Sequence, residues 1–283
     1  MAEIASYCAQ MLRRQDADRY LTALFAPGDR REALFALYAF NLEVARAREI
    51  VSEPVMGLIR LQWWREAIDE IYQGGQGRVR AHEVIRPLAN AISGHGLTHG
   101  LFERLIATRE RDLDADPPAD LAALVDYAKG SSATLVNLAL EILGEPTAAV
   151  REVGEATGIA WALTGLMRAV PFHAARRRLY LPANLMAQAG LMPGPLFEDG
   201  SSPALPPVVR AVAGEAAIWL ARARRRAGQV PGRFRPALLP ATLAAGYLRR
   251  LAAAGYDPFD RRVQETPPWR IWSLALRRLT GGY

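Results

Sequence analysis

Two segments of the chain carry clusters of charged side chains, the residue types that bind metal ions and anions in proteins. The first, ALYAFNLEVARARE at residues 36–49, ends in two arginines and Glu49, and the second, LTGLMRAVPFHAARRRLYLP at residues 163–182, holds four arginines and one histidine. Carboxylates at i and i+4 lie on one helical face and can hold Mg²⁺ jointly, but neither segment has such a pair. Guanidinium groups can hold a phosphate or carboxylate without a metal.

The two segments resemble the signature segments of the squalene/phytoene synthase family. In the first region the match covers Pro27, Arg30, Arg31 and the quartet LYAF at residues 37–40. In the second it covers the Gly-x-x-x-x-Leu-Thr pattern at residues 158–164, Arg168, and RLYLP at residues 178–182. The resemblance implies that each segment forms a helix with an Asp-rich box, whose aspartates bind Mg²⁺ and through it the diphosphate of a prenyl substrate.

The chain departs from that family at the positions that carry the chemistry. The aspartate positions hold Ala45, Glu49, Ala169 and His173, and the positions of further polar contacts hold Leu42, Ala162 and Gly165. Asp18 stands where the family usually has a serine. Pro171 removes a backbone donor and should kink or end the second helix. With Glu49 as the one box carboxylate, we expect no metal site and no cofactor, and Mg²⁺ only if the chain is a working synthase.

The arginines are the alternative ligand-binding groups. Periodicity places Arg48 on the helix face of Leu37 and Val44, so its side chain either enters the cleft or points to solvent. The candidate ligand-binding residues are Tyr38, Arg48, Arg168, Arg176 and Arg178. An isoprenoid diphosphate or another anionic lipid would suit such a site.

Other segments resemble a divergent branch of the family. Residues 41–72 and 127–144 are similar to a branch that includes a mitochondrial assembly factor of respiratory complex I, in which the box positions are also non-acidic. The resemblance implies a non-catalytic homologue that acts in respiratory complex I assembly, with a complex I subunit as partner, or that binds an isoprenoid or other lipid. The alternatives are an active head-to-head prenyltransferase in which Glu49 and unrecognised carboxylates still bind metal, and a scaffold or peripheral membrane protein.

Helical periodicity dominates the chain. Apolar residues recur at i, i+3, i+4 and i+7 in six stretches, residues 30–51, 55–72, 121–143, 150–170, 208–227 and 237–254. No stretch alternates with period two, so we predict an all-α protein, and the resemblance implies the isoprenoid synthase fold, with helices around a central cavity. Turn residues are dense at 74–77, 114–118 and 192–207. The last segment could link two domains, but the similar helices on both sides favour a long loop within one domain over residues 1–283.

The composition limits the class of protein and its compartment. Cys8 is the only cysteine among 283 residues, which is typical of a reducing compartment. No run approaches the roughly 18 to 20 apolar residues of a membrane span, and the N-terminus lacks the apolar segment of a secretory signal. The net charge of +6 comes from arginine, without a base-stacking module for nucleic acid. We expect a bacterial cytoplasmic protein that binds no nucleic acid, with peripheral contact to the inner membrane as an open alternative.

Two further patterns invite a functional interpretation. His95 and His99 are spaced at i and i+4, as zinc-binding pairs often are, but the flanking glycines predict a turn and no other ligand motif adjoins them. We therefore expect no metal there. The run WLARARRR at residues 219–226 is either a solvated basic face or a surface that contacts acidic lipid.

Overall fold

The computed structural model describes residues 5–49, 53–74, 79–200, 202–268, 270–280 and 283, without the side chains of residues 199 and 278–280. Every regular element in these residues is helical, which confirms the predicted all-α class. The α-helices are α1 (Tyr7–Gln15), α2 (Ala17–Ala23), α3 (Gly28–Ala45), α4 (Pro54–Tyr72), α5 (Ile85–His95), α6 (His99–Glu110), α7 (Leu121–Ala128), α8 (Thr134–Leu143), α9 (Ala148–Arg168), α10 (Val170–Ala174), α11 (Ala183–Ala189), α12 (Pro193–Asp199), α13 (Leu205–Arg225), α14 (Arg235–Leu238), α15 (Pro240–Ala253), α16 (Arg261–Gln264) and α17 (Arg270–Thr280).

Shorter helical turns connect several of these helices. A π turn at Lys129–Ala133 joins α7 to α8, so the predicted helix at residues 121–143 is present with an interruption. Turns of 3₁₀ type lie at Arg111–Leu113, Ala227–Gln229 and Gly232–Phe234. Over the described part of the chain, no helix combines the length and the apolar character needed to cross a membrane.

The helix that carries the first segment ends earlier than predicted. The N–H of Arg46 still bonds to the carbonyl of Leu42, at 3.1 Å, but Ala47 and Glu49 bond only three residues back, to Val44 and Arg46. Bonds of that spacing form tight turns rather than an α-helix. The predicted continuation of the helix beyond Ala45 is therefore wrong up to residue 49, and residues 50 and 51 lie outside the described residues.

The second segment begins in the last turns of α9 and continues through α10, and local signals set both ends of α9. The Thr147 side chain caps its N-terminus, and the helix ends at Arg168, shortly before Pro171 in the first turn of α10. This confirms the predicted interruption. Near its middle, a Cβ on Gly158 would lie 2.3 Å from the Cα of Ala133, so α9 meets the π turn by direct backbone contact that any larger residue would prevent.

Two buried apolar clusters form the core, and α9 belongs to both. In the first, the ring of Phe40 contacts Trp64 and Phe102 edge-on, each at 5.4 Å between centroids. Trp161 of α9 packs in this cluster, whereas Leu163 of the same helix packs in the second one, with α11 and α13. Because interiors are close-packed, a helix buried on two sides is fixed in position. α9 therefore fixes the position of the start of the second segment.

The predicted long loop at residues 192–207 instead contains α12. Pro193 lies in the first turn, where its fixed φ suits a helix, and Gly200 ends the helix in the left-handed region, with φ of +64°. Leu196 is buried in the second cluster, so tertiary packing stabilises a helix in a segment dominated by turn residues.

The other predicted breaks have different outcomes. Residues 114–118 contain no helix, as predicted, whereas Gly75 to Gly77 lie outside the described residues. The prediction of one domain over residues 1–283 stays a prediction.

Candidate functional site

The two segments meet at a cavity of about 280 Å³, which we call the two-segment cavity. Its walls come from the turn after α3, the 3₁₀ turn before α7, and the stretch from α10 to Tyr180. The lining residues are Ala45, Arg48, Glu49, Asp112, Phe172, His173, Arg176, Arg178 and Tyr180. The volume is close to the lower end of the roughly 300–1,000 Å³ of small-molecule sites, so it suits a small anionic group.

The sequence analysis gave four box positions and five candidate ligand-binding residues, and six of these nine residues line the two-segment cavity. These are Ala45, Arg48, Glu49, His173, Arg176 and Arg178. Arg48 enters the cleft, which decides between its two predicted orientations, while the nearby Arg46 bonds to the side-chain oxygen of Gln15 at 2.5 Å. Tyr38, Arg168 and Ala169 are not among the lining residues.

Sequence reasoning missed three of the lining residues, Asp112, Phe172 and Tyr180, and Asp112 is the most buried of them. Its side chain is almost fully buried, and its Oδ1 accepts hydrogen bonds from the hydroxyls of Tyr127, at 2.8 Å, and Tyr180, at 2.7 Å. Its Oδ2 lies 3.4 Å from Nη1 of Arg109. The sequence does contain a signal, since residues 112, 114 and 116 are all aspartates. The turn residues at 114–118 led us to interpret this segment as a loop only.

Both tyrosines act as fixed donors to Asp112. Burial raises the pKa of the Tyr127 phenol and of the Tyr180 phenol, and the negative charge of Asp112 raises each further. The phenols therefore stay protonated at neutral pH. Arg109 also donates to the Tyr127 oxygen at 2.7 Å, which completes a closed network around the carboxylate.

His173 replaces a box aspartate and is neutral at pH 7. The pKa of His173 is lowered to about 4, mainly by burial. The charges of Arg178 and Arg176 also lower it, whereas the charge of Asp112 raises it. Its ring lies 4.7 Å from that of Tyr180, and its buried Nδ1 has no hydrogen-bond partner among the described residues. A buried polar atom without a partner carries a cost in free energy.

Two of the cavity arginines are held by neighbouring groups. Arg178 donates to the carbonyl oxygens of Asp112 and of Asp114, the latter at 2.7 Å. The guanidinium of Arg176 stacks on the ring of Phe172 at 3.6 Å, and the Phe172 residue remains 42% exposed. The cavity thus presents positioned cations next to an exposed aromatic surface.

Tyr38 is buried among groups outside the cavity lining. Burial raises the pKa of its phenol to about 12, Asp16 raises it further, and Arg19 opposes the change. The hydroxyl therefore stays protonated.

Arg168 belongs to a second cluster of charges. Its guanidinium lies 3.5 Å from the ring centroid of Tyr247 and 3.9 Å from a carboxylate oxygen of Asp18. The same carboxylate accepts a hydrogen bond from the Tyr247 hydroxyl at 2.7 Å and pairs with Arg270. Asp18, at the family's usual serine position, is the central acid of this cluster.

The two histidines considered for metal binding make separate contacts. Nδ1 of His95 lies 2.7 Å from Nη1 of Arg30, and Nε2 of His99 lies 2.8 Å from Oδ1 of Asp69. The ligand atoms of Asp69, His99 and Glu103 lie within 4.8 Å of one another. Arg65 also donates to Glu103, at 3.1 Å, so these partly buried groups belong to a network of ion pairs.

Comparison with known proteins identifies the family of the chain. The squalene/phytoene synthase family model matches residues 12–272. The chain belongs to the squalene/phytoene synthase family. Among solved structures, it is similar to a dehydrosqualene synthase in complex with ligand, with a TM-score of 0.82, 19% identity, and coverage of 97% of this chain and 94% of that one. It is also similar to a squalene synthase from Alicyclobacillus acidocaldarius, with a TM-score of 0.76, 22% identity, and coverage of 89% and 94%. These matches confirm the isoprenoid synthase fold.

Curated squalene/phytoene synthase relatives fall into two groups by name. The "NADH dehydrogenase (ubiquinone) complex I, assembly factor 6" of Bos taurus is 32% identical over 262 residues, which cover 91% of this chain and 77% of the relative. The presqualene diphosphate synthase of Rhodopseudomonas palustris is 28% identical over 240 residues, which cover 81% of this chain and 84% of the relative. The family thus joins proteins named for assembly to proteins named for synthesis.

Proposed function

We propose that this squalene/phytoene synthase homologue is non-catalytic, that it binds the anionic head of an isoprenoid diphosphate or another anionic lipid, and that it acts in the assembly of respiratory complex I. The observation that carries the proposal is the lining of the two-segment cavity. Arg48, Arg176 and Arg178 converge there, while three of the four box positions lack a carboxylate.

The donors of this cavity do not fit Mg²⁺. That ion demands a nearly octahedral set of oxygen ligands. Glu49 offers one exposed carboxylate, and the carboxylate of Asp112 already accepts hydrogen bonds from Tyr127 and Tyr180. The surrounding guanidinium groups further disfavour a cation. We therefore derive no metal-dependent step.

The same groups suit direct binding of an anion. A guanidinium can donate two parallel hydrogen bonds to a phosphate or carboxylate. The stacking of Arg176 on Phe172 positions that guanidinium before a ligand arrives, which lowers the entropy cost of binding. The exposed part of Phe172 offers apolar contact to the first carbons of a prenyl or acyl chain.

Binding is tested with a thiodiphosphate analogue of farnesyl diphosphate. Calorimetric titration with Mg²⁺ and with EDTA should give the same dissociation constant, and added salt should weaken binding because the site is partly exposed. Farnesol, which has the same chain without the charge, is the matched control and should bind much more weakly. Binding that requires Mg²⁺, or the absence of binding, would overturn this part of the proposal.

The role in assembly is supported by the names of the relatives. Homologues from mammals, Drosophila melanogaster and Dictyostelium discoideum carry the assembly factor name, at 28–32% identity. Cells that lack the protein should contain less assembled NADH dehydrogenase, measured by native electrophoresis and NADH oxidation, and the wild-type chain should restore it. Normal complex levels in such cells would exclude this role, but they would not contradict ligand binding in the cavity.

An active head-to-head prenyltransferase is the second candidate, favoured by the relatives named presqualene diphosphate synthase and phytoene synthase. Ionising an allylic diphosphate requires stabilisation of the leaving group, and the loss of metal contacts slows that step by orders of magnitude. Incubation with farnesyl or geranylgeranyl diphosphate and Mg²⁺ should give no product above background. Product that disappears with EDTA and with Glu49→Gln would establish the synthase instead.

A further inference from the structure

The helix α17 exposes apolar side chains on one side. Ile271, Trp272 and Leu276 are 52%, 77% and 61% exposed, whereas Leu274 is fully buried against the first core cluster. At 100° per residue, positions 271, 272 and 276 fall within one sector of the helix. These three residues form a solvent-exposed apolar stripe, which we call the α17 face.

An arginine cluster adjoins the α17 face. Arg224 of α13, Arg249 of α15 and Arg277 of α17 line a surface cavity of about 450 Å³ together with Thr242, Ala245, Ser273 and Leu276. Leu276 belongs both to this lining and to the α17 face, so the cationic and apolar parts are continuous. Neither Arg224 nor Arg249 forms an ion pair with a carboxylate of the described residues.

The electrostatic surroundings of Arg224 are positive. Its pKa is lowered from the usual value, first by burial and then by the charges of Arg277 and Arg249. Like charges held close together repel one another, and an anion between them would relieve that repulsion. The two-segment cavity has none of these residues in its lining, so this is a separate site.

We propose that the α17 face and the arginine cluster together form a docking surface for an anionic lipid bilayer. The head-group phosphate of an acidic phospholipid lies between the three guanidinium groups, and Trp272 and Ile271 enter the interfacial region of the bilayer. The tryptophan and the aliphatic residues suit the apolar boundary of a bilayer, and the arginines suit its negatively charged head groups. This complementarity favours a bilayer over a protein partner.

The basic run at residues 219–226 contributes only part of this surface. The indole N–H of Trp219 donates to Glu215 at 2.8 Å, and Arg226 pairs with Glu152. Among these residues Arg224 joins the arginine cluster. The exposed tryptophan of the docking surface therefore comes from α17, and the run alone does not form it.

Vesicle co-sedimentation of the whole chain tests the proposal. Vesicles of phosphatidylcholine with phosphatidylglycerol should bind the protein, pure phosphatidylcholine vesicles should bind it weakly, and salt should reduce the difference. The double variant Arg224→Gln/Arg249→Gln should bind the acidic vesicles about 25-fold more weakly, because each basic group near such a surface contributes about fivefold. Trp272→Ser should weaken binding about tenfold through lost apolar burial.

Matched variants separate this surface from general effects. Met192→Ser removes a comparably exposed apolar side chain outside the α17 face, 67% exposed against 77% for Trp272, and Arg86→Gln removes an exposed arginine of α5, so neither should change vesicle binding. Far-ultraviolet circular dichroism confirms that each variant is folded. No binding to acidic vesicles, or equal losses in test and control variants, would overturn the proposal.

Discussion

Arg168 and Arg176 come from the same segment but have different surroundings. Arg168 lies between Tyr247 and Asp18, whose carboxylate also pairs with Arg270. Arg176 stacks on Phe172 at the wall of the two-segment cavity. The first is part of a closed ionic cluster, and the second faces a space that a ligand can enter. The partners of an arginine, more than its place in a motif, therefore decide between a structural role and a binding role.

Removal of the central acid should have the largest effect. Asp18→Ala leaves two mostly buried arginines without their carboxylate, and breaking such a buried pair costs about 3–5 kcal/mol of unfolding free energy. Urea denaturation followed by circular dichroism measures the loss. The control is Asp29→Ala, which removes an exposed carboxylate paired with Arg30 and should cost less than about 1 kcal/mol. Equal losses in the two variants would mean that the cluster around Asp18 is not a structural unit.

Substitutions of Arg168 and Arg176 should have different effects on ligand affinity and on stability. Arg48→Gln with Arg176→Gln should weaken binding of the farnesyl thiodiphosphate analogue about 100-fold, since each charged hydrogen bond contributes about 1.5 kcal/mol. Arg168→Gln should leave the dissociation constant unchanged and lower the unfolding free energy. A loss of affinity in Arg168→Gln that matches the loss in Arg176→Gln would contradict the distinction drawn between the two sites.

The neutral His173 makes stability depend on pH. The unfolded histidine takes up its proton near pH 6.5 and the folded one near pH 4, so the unfolded state binds more protons between these values. Stability is therefore fully present above pH 6.5 and falls as the pH decreases towards 4, by about 2 kcal/mol between pH 7 and pH 5. Urea titrations at several pH values should show that His173→Gln lacks this part of the slope. An unchanged slope would mean that His173 titrates normally.

The smallest effects should come from the tyrosines that donate to the two buried acids. Tyr180→Phe removes a hydrogen bond to Asp112, and Tyr247→Phe removes one to Asp18. Each should lower the unfolding free energy by about 1 kcal/mol, because other donors remain at each carboxylate. Thermal melts of the two variants compare the networks directly. A much larger loss in one variant would show that its network depends on that hydroxyl.

Much of the fold follows from local patterns. The periodicity of apolar residues predicts the long helices, and Pro171 predicts the end of the helix at Arg168, because both signals act over one or two turns. The end of α3 at Ala45 and the helix α12 were not predicted. The first depends on the turns that follow Ala45, and the second on the burial of Leu196.

Residue types and their spacing were enough to identify the family and the all-α class, and they predict that three box aspartate positions are replaced. Only the tertiary structure brought Asp112 to Tyr127 and Tyr180, set Arg168 against Asp18, and left Trp272 exposed on α17. The physical reason is that charge pairing and burial join residues far apart in the chain, up to 252 positions for Arg270 and Asp18. No local pattern encodes such partners.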